Sequence, residues 1–199
     1  EDVERNNTWL KDGGKIGDIM CNMTCFAACL DYLGKQVPCN NCPEDCVSKT
    51  LLPDYLECVH RDKIRPLGDI EYHRGSVLSR KLLGEYFNVG QGVKQSISDA
   101  TILRDFIKEK LGGGYSIIAA IDGHFVRVQG ITDNFIVVDD PYGAIDIEKK
   151  LQGLRAYNCS DCDPPFDKRN QESAKGNNNN WKIEDAIKII LWYEWYFNK

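Results

Sequence analysis

The segment from Tyr115 to Asp139 constrains the fold of this chain more than any other part of the sequence. It contains three short runs rich in isoleucine, valine and phenylalanine, which are residue types favoured in strands. Asp122-Gly123 and Thr132-Asp133 separate the runs, and pairs of this kind are typical of hairpin turns. The sequence therefore predicts three consecutive antiparallel strands, over Tyr115–Ile121, His124–Ile131 and Asn134–Asp139.

Apolar residues recur at helical spacing in three segments that precede these strands. The first begins near Met23 and ends at Gly34, a residue suited to a helix C-terminus. The others are Ser76–Phe87 and a helix that Ser98-Asp99 would cap, running to about Leu111. Helices followed by a run of antiparallel strands indicate an α+β fold. After them, the apolar and aromatic segment Trp181–Phe197 predicts a short helix and a further strand.

The chain of 199 residues can bury one core, and a single domain over residues 1–199 is the simplest organisation. Residues 156–180 are a polar insert that ends in four asparagines, and the segment after it is too short to fold alone. No run approaches the roughly 18 apolar residues of a membrane span. The net charge is −5 without a basic stripe, which argues against nucleic acid as a partner. The chain begins at Glu1, so further domains of a longer protein stay open.

Cysteine is unusually frequent, and its frequency favours an exported protein with disulfide bonds: secreted, on the cell surface or periplasmic. The number is odd, so one thiol is expected to stay free and the other eight can form up to four bridges. Cys25 and Cys29 are expected to pair with the loop of residues 35–58, because cysteines four residues apart on a helix are too distant to bridge. The nine are Cys21, Cys25, Cys29, Cys39, Cys42, Cys46, Cys58, Cys159 and Cys162.

Two Cys-x-x-Cys pairs, Cys39 with Cys42 and Cys159 with Cys162, also have the spacing of zinc ligands. Disulfides are the favoured interpretation in an exported chain, so no metal and no cofactor are predicted. The sequence Asn22-Met23-Thr24 is a potential glycosylation site at the start of the first helix, where a glycan would block Cys21. A functional Cys21 therefore suits a bacterial source.

Cys21, His124 and Asp140 occur in an order that can produce a reactive thiolate. Cys21 stands at a predicted helix start, where free N–H groups and the helix dipole lower the pKa of a thiol. His124 begins a predicted strand and would supply a neighbouring imidazolium, and Asp140 would orient its ring. His60 and His73 lie in polar stretches and are expected to be solvated.

The spacing of His124 and Asp140 can be examined as a hairpin. If the two strands pair about residue 132, these side chains lie directly opposite each other on one face, with Cβ atoms roughly 4.5–5.5 Å apart. Asp139 would then point to the other face.

Several segments resemble the bacteriocin-processing-peptidase-like group of papain-like cysteine peptidases, whose best-known members remove double-glycine leader peptides. They frame residues 4–143: Met20-Cys21-Asn22-Met23-Thr24-Cys25-Phe26-Ala27, Leu30-Asp31-Tyr32-Leu33-Gly34, Gly123-His124-Phe125-Val126, Asp139-Asp140-Pro141-Tyr142-Gly143 and Glu4-Arg5-Asn6-Asn7. The resemblance implies a papain-like fold, in which the nucleophile helix packs on an antiparallel sheet carrying His124 and Asp140. It further implies hydrolysis of a protein or peptide substrate, with Cys21 as nucleophile, His124 as base and Asp140 as the orienting group.

Glu4 marks a departure from this family, in which a glutamine at that place donates a hydrogen bond to the oxyanion. An ionised carboxylate repels an oxyanion, so Asn6 or Asn7 are alternative donors. Two other functions therefore stay open. One is a catalytically weakened peptidase fold that acts as a binding module, and the other is an amidase or acyl transferase that uses the same three residues.

Overall fold

The computed structural model describes residues 21–36, 53–67, 76–92, 94–141, 145, 147–152 and 178–199. A π-helical turn over His60–Ile64 and a 3-10 turn over Arg65–Leu67 directly follow the helix Pro53–Val59. The α-helices within these ranges are α1 (Cys21–Tyr32), α2 (Pro53–Val59), α3 (Val77–Tyr86), α4 (Ala100–Gly112), α5 (Ile147–Leu151) and α6 (Ile183–Ile189).

The strands of the described residues form a six-stranded sheet in the order β1-β6-β2-β3-β4-β5, and every neighbouring pair is antiparallel. This architecture confirms the predicted α+β class with an antiparallel sheet. It also confirms the three predicted strands to within a residue at each end. The strands are β1 (Val89–Gln91), β2 (Ser116–Ile121), β3 (His124–Ile131), β4 (Phe135–Asp139), β5 (Asn179–Lys182) and β6 (Ile190–Asn198).

The helix ends follow from short-range chemistry. Gly34 has φ 72°, and the bonds from its N–H to the Asp31 carbonyl and from Lys35 N–H to the Leu30 carbonyl close the last turn of α1. At the start of α4, the Asp99 carboxylate accepts from the N–H groups of Thr101 and Ile102. Both helix boundaries are close to those predicted from the sequence.

A hydrophobic cluster covers each face of the sheet. Helices α1, α2 and α3 bury one face, with Phe26, Leu30 and Leu83 among the residues without solvent exposure. Helices α4 and α6 bury the other face, where Leu103 and Ile107 pack on alternate residues of the strands. Because α1 crosses β3 on the first face, its N-terminus comes close to the start of that strand.

The C-terminal strand β6 lies inside the sheet, between β1 and β2. It pairs with β2 from Ser116 opposite Tyr196 to Ile121 opposite Ile190. The sequence predicted this strand but not its place between β1 and β2. Asn179 and Asn180, the last two residues of the predicted polar insert, belong to β5 and pair with β4. Backbone pairing with a neighbouring strand outweighs the low strand preference of asparagine here. Residues 153–177 of the insert lie outside the described part.

Within the described ranges, no helix has the length and apolar character needed to cross a membrane.

Candidate active site

Cys21 is the first residue of α1, as the sequence predicts. The N–H groups of the first helical turn have no partner within the helix, so a partial positive charge accumulates there and favours an anion. The side chain is 7 % exposed, and the first turn of α1 contains no acidic residue that would oppose this effect. Cys21 therefore lies at the positive end of a helix, where no carboxylate of the same turn competes for the N–H groups.

His124 and Asp140 form a buried pair beside Cys21. His124 is the first residue of β3, Asp140 follows the last residue of β4, and each is 3 % exposed. The Nε2 atom of His124 lies 2.7 Å from Oδ1 of Asp140, the distance of a strong charge-assisted hydrogen bond. The structure thus brings all three predicted residues together at one end of the sheet.

The strand register differs from the predicted one. Arg127 lies opposite Asp139, and extending this pairing by one residue places Asp140 opposite Val126 rather than opposite His124. The prediction was wrong by two residues, because β4 begins only at Phe135 and a bulge interrupts β3 between Val128 and Gly130. Since side chains alternate with a period of two, the error leaves Asp140 and His124 on the same face as diagonal neighbours.

Asp139 points to the opposite face, as predicted, and is engaged in contacts away from His124. Its Oδ2 atom lies 3.4 Å from Nη1 of Arg127 and also accepts from the amide of Gln129. Its Oδ1 atom accepts from the N–H of Asn178 at 3.1 Å. Asp139 therefore connects β3, β4 and the entry to β5.

The charge state of His124 is set by opposing effects. Burial lowers the pKa of the imidazole, but hydrogen bonds and charge from Asp140 and Cys21 outweigh this and raise the pKa to about 9. The ring is therefore protonated at neutral pH. Because Asp140 occupies Nε2, Nδ1 is the ring nitrogen that remains to exchange a proton with Sγ of Cys21.

The neighbouring thiols on α1 are in a different environment. Cys25 and Cys29 are free and almost completely buried, so the prediction that they pair with the loop of residues 35–58 was wrong. Burial raises the pKa of Cys25 well above its ordinary value and that of Cys29 to about 12, so both stay protonated. Their hydrophobic packing in the α1 core explains why a cysteine stripe occurs here without bridges. Cys39, Cys42, Cys46, Cys159, Cys162 and the side chain of Cys58 lie outside the described part.

His60 is buried, with 2 % of its surface exposed, so the expectation that it is solvated was wrong. Its Nε2 atom lies 3.4 Å from Oγ of Ser79 on α3, because the π-helical turn after α2 packs against that helix. His73 lies outside the described residues, as do Glu4, Asn6 and Asn7, the candidate oxyanion donors.

The described side chains contain no cluster of three or more His, Cys, Asp and Glu that could hold a metal ion. The four cysteines with zinc-ligand spacing lie outside this part of the chain.

Sequence reasoning missed a buried charged network below the site. Arg80 on α3 forms a salt bridge with Glu194 on β6, and Tyr196 donates to the same carboxylate. All three side chains are fully buried. The sequence of β6 contains a sign of this network. Trp192, Glu194 and Tyr196 are two positions apart and share one face of the strand, so an acidic residue stands between two aromatic ones.

No protein-family model matches the chain, and no curated protein matches its sequence.

Proposed function

We propose that the protein is a cysteine peptidase of papain-like fold, in which Cys21, His124 and Asp140 form the catalytic triad. The observation that carries the proposal is the buried hydrogen bond of 2.7 Å between His124 and Asp140, next to a cysteine at a helix N-terminus. This geometry supports each condition that a thiol needs to act as a nucleophile: a positive helix end, an adjacent imidazolium and a group that orients the ring.

The reaction follows from the positions of these atoms. The thiolate of Cys21 adds to the carbonyl carbon of the scissile peptide bond, and the proton on Nδ1 of His124 passes to the departing amine. This step leaves a thioester between Cys21 and the acyl part of the substrate. The neutral imidazole then takes a proton from a water molecule that attacks the thioester, which releases a carboxylic acid and restores the thiolate of Cys21 beside the protonated His124. Asp140 keeps the ring oriented through both steps.

The proposed substrate is a protein or peptide, as the resemblance to the peptidase group implies. An amidase would form the same thioester from a different kind of amide and also use water to release the acid, whereas an acyl transferase would have an amine attack the thioester in place of water. A peptide-library digest analysed by mass spectrometry distinguishes the three activities: a peptidase yields new free peptide termini, an amidase leaves the peptide backbone uncut, and a transferase attaches an added primary amine to the acyl product.

The central test compares two cysteines of α1. Cys21→Ala should abolish cleavage of the peptide library and rapid labelling by iodoacetamide or an epoxide probe. Cys29→Ala is the matched control, because it removes a free thiol two turns further along the same helix. Circular dichroism should show both variants folded. Full cleavage activity in Cys21→Ala, or a native chain whose Cys21 is alkylated no faster than in His124→Ala, would refute the proposal.

A further inference from the structure

Arg80 carries a charge in the core on the α1 side of the sheet. Its Nε atom bonds to Oε1 of Glu194, and its Nη2 atom lies 3.2 Å from Oε2 of the same residue. Tyr196 closes the network, since its hydroxyl donates to Glu194 and lies 3.2 Å from Nε of Arg80 and 3.3 Å from the amide of Gln91. The side chain of Arg80 thus joins α3 to β6 through a forked, fully buried ion pair.

The same guanidinium contacts the residue that follows His124. Its Cζ atom lies 4.7 Å from the ring centre of Phe125 and 5.7 Å from that of Trp192. The two rings also pack edge to face, with centres 5.7 Å apart, because both flank the small Ala120 in one row across the sheet. Arg80 therefore packs on the strand that presents His124, at the position next to it.

Phe125 is also connected to the nucleophile helix. Its backbone carbonyl oxygen lies 3.4 Å from Sγ of Cys25, which stands one helical turn after Cys21. Arg80 thus contacts the ring of Phe125, and Cys25 of α1 contacts its backbone carbonyl. Phe125, the neighbour of His124 in β3, is therefore in contact both with Arg80 and with the helix that carries Cys21.

The stability of the fold does not by itself explain why the Arg80–Glu194 ion pair is buried. Two buried charges carry a desolvation penalty, and apolar residues of similar volume at such positions are often equally stable or more stable. Burial lowers the pKa of Arg80, but Tyr196 and Glu194 more than offset this, so the guanidinium stays charged. Unlike an apolar side chain, the guanidinium of Arg80 is planar and presents its N–H donors in a fixed fork. It can therefore orient the groups that it contacts.

We infer that Arg80, held by Glu194 and Tyr196, is a positioning residue that sets the distance and orientation of His124 relative to Cys21 through Phe125. This inference rests on the proposed function, in which a proton passes between these two side chains. Arg80 itself stays outside the reacting group. A displacement of about 1 Å at a catalytic pair can lower the rate by about 10²-fold, so a small shift of Phe125 is sufficient for a measurable effect.

The test replaces the ion pair by apolar residues, in the double variant Arg80→Met/Glu194→Met, which leaves no buried charge without a partner. Leu103→Ala is the matched control, because it removes buried volume on the opposite face of the sheet. Leu103 also lies near the far strand ends, since its neighbour Arg104 donates to the Asp133 carbonyl in the β3–β4 turn. The measurements are the melting temperature, the iodoacetamide alkylation rate of Cys21 by peptide mapping as a function of pH, and the NMR titration of His124.

In the double variant, we expect alkylation of Cys21 at neutral pH to slow by about tenfold or more, and the titration of His124 to shift, while the fold is kept. Leu103→Ala should lower the melting temperature without either change. A folded double variant with the native alkylation profile and the native His124 titration would overturn the inference. If the double variant does not fold, Arg80→Lys is judged by the same criteria, since it keeps the charge and loses the fork.

The two proposals fail in different ways. If Cys21 of the native chain reacts no faster than in His124→Ala, the proposed function is wrong, and the result for the double variant does not change this conclusion. If the native chain reacts rapidly and the folded double variant reacts equally rapidly, the triad stands and the positioning role of Arg80 is wrong.

Discussion

Replacement of Asp140 by asparagine should remove a pH-dependent part of the stability of this fold. The substitution keeps the size of the side chain and its ability to accept a hydrogen bond, and it removes the negative charge 2.7 Å from Nε2 of His124. Among the effects that raise the pKa of His124, the hydrogen bond from Asp140 is the largest, and that of Cys21 is second. Asp140→Asn should therefore lower the pKa of His124 towards or below its ordinary value of 6.5.

The magnitude follows from the shift itself. The pKa of His124 is raised from 6.5 to about 9 in the folded chain. Each pKa unit corresponds to about 1.4 kcal/mol, so protonation of His124 stabilises the native state by about 3 kcal/mol. Because the folded pKa lies above the unfolded one, this contribution is fully present below about pH 6.5 and is lost as the pH rises through about 9.

Urea denaturation of the native chain and of Asp140→Asn at about pH 6, 7.5 and 9.5 measures this contribution without any substrate. The difference in unfolding free energy should be largest at the lowest pH and should shrink by up to about 3 kcal/mol at the highest. Asp139→Asn is the control, because that carboxylate contacts Arg127 and Gln129 on the other face. Equal pH dependence of stability in the native chain and in Asp140→Asn would refute the reasoning.

Two further predictions concern parts of the chain outside the described residues. Alkylation in denaturant without reductant should label Cys21, Cys25 and Cys29, the free thiols, and leave the other six of the nine cysteines unlabelled in protein from an oxidising compartment; nine labelled cysteines would exclude disulfides. Glu4→Gln should raise turnover by up to about 10²–10³-fold near neutral pH, if Glu4 stands at the oxyanion position and an amide replaces a repelling carboxylate. Unchanged turnover across pH would remove Glu4 from that role, and Asn6 and Asn7 would then be tested.

The parts of the fold that the sequence predicted well are those with local causes. The cap at Asp99 and the glycine at 34 depend on groups within a few residues, so the ends of α4 and α1 could be predicted closely. The face of Asp140 could also be predicted, because it depends on strand alternation rather than on the register. The register itself was missed, since the turn after Ile131 and the bulge in β3 depend on how the whole sheet twists.

The parts that could not be predicted depend on contacts between distant segments. Arg80 and Glu194 are 114 positions apart, and their pairing requires that β6 lies inside the sheet, between β1 and β2, and that α3 packs on it. Sequence patterns treat each of these residues as a surface charge, because arginine and glutamate are rarely buried without a partner. The burial of His60 also depends on a contact between distant segments, because the π-helical turn after α2 packs against α3.

The proposed function requires one reactive thiol on a helix that carries three, and the three thiols of α1 differ in position and burial. Cys21, Cys25 and Cys29 follow one another at intervals of four residues and share one side of the helix. Cys25 and Cys29 lie deeper in the core, where burial holds them protonated. Cys21 alone of the three stands at the helix N-terminus and takes part in raising the pKa of His124. Position along one helix thus distinguishes Cys21, the nucleophile of the proposed mechanism, from two cysteines that pack as small apolar residues. Cys25 also contacts the carbonyl of Phe125, the residue next to His124.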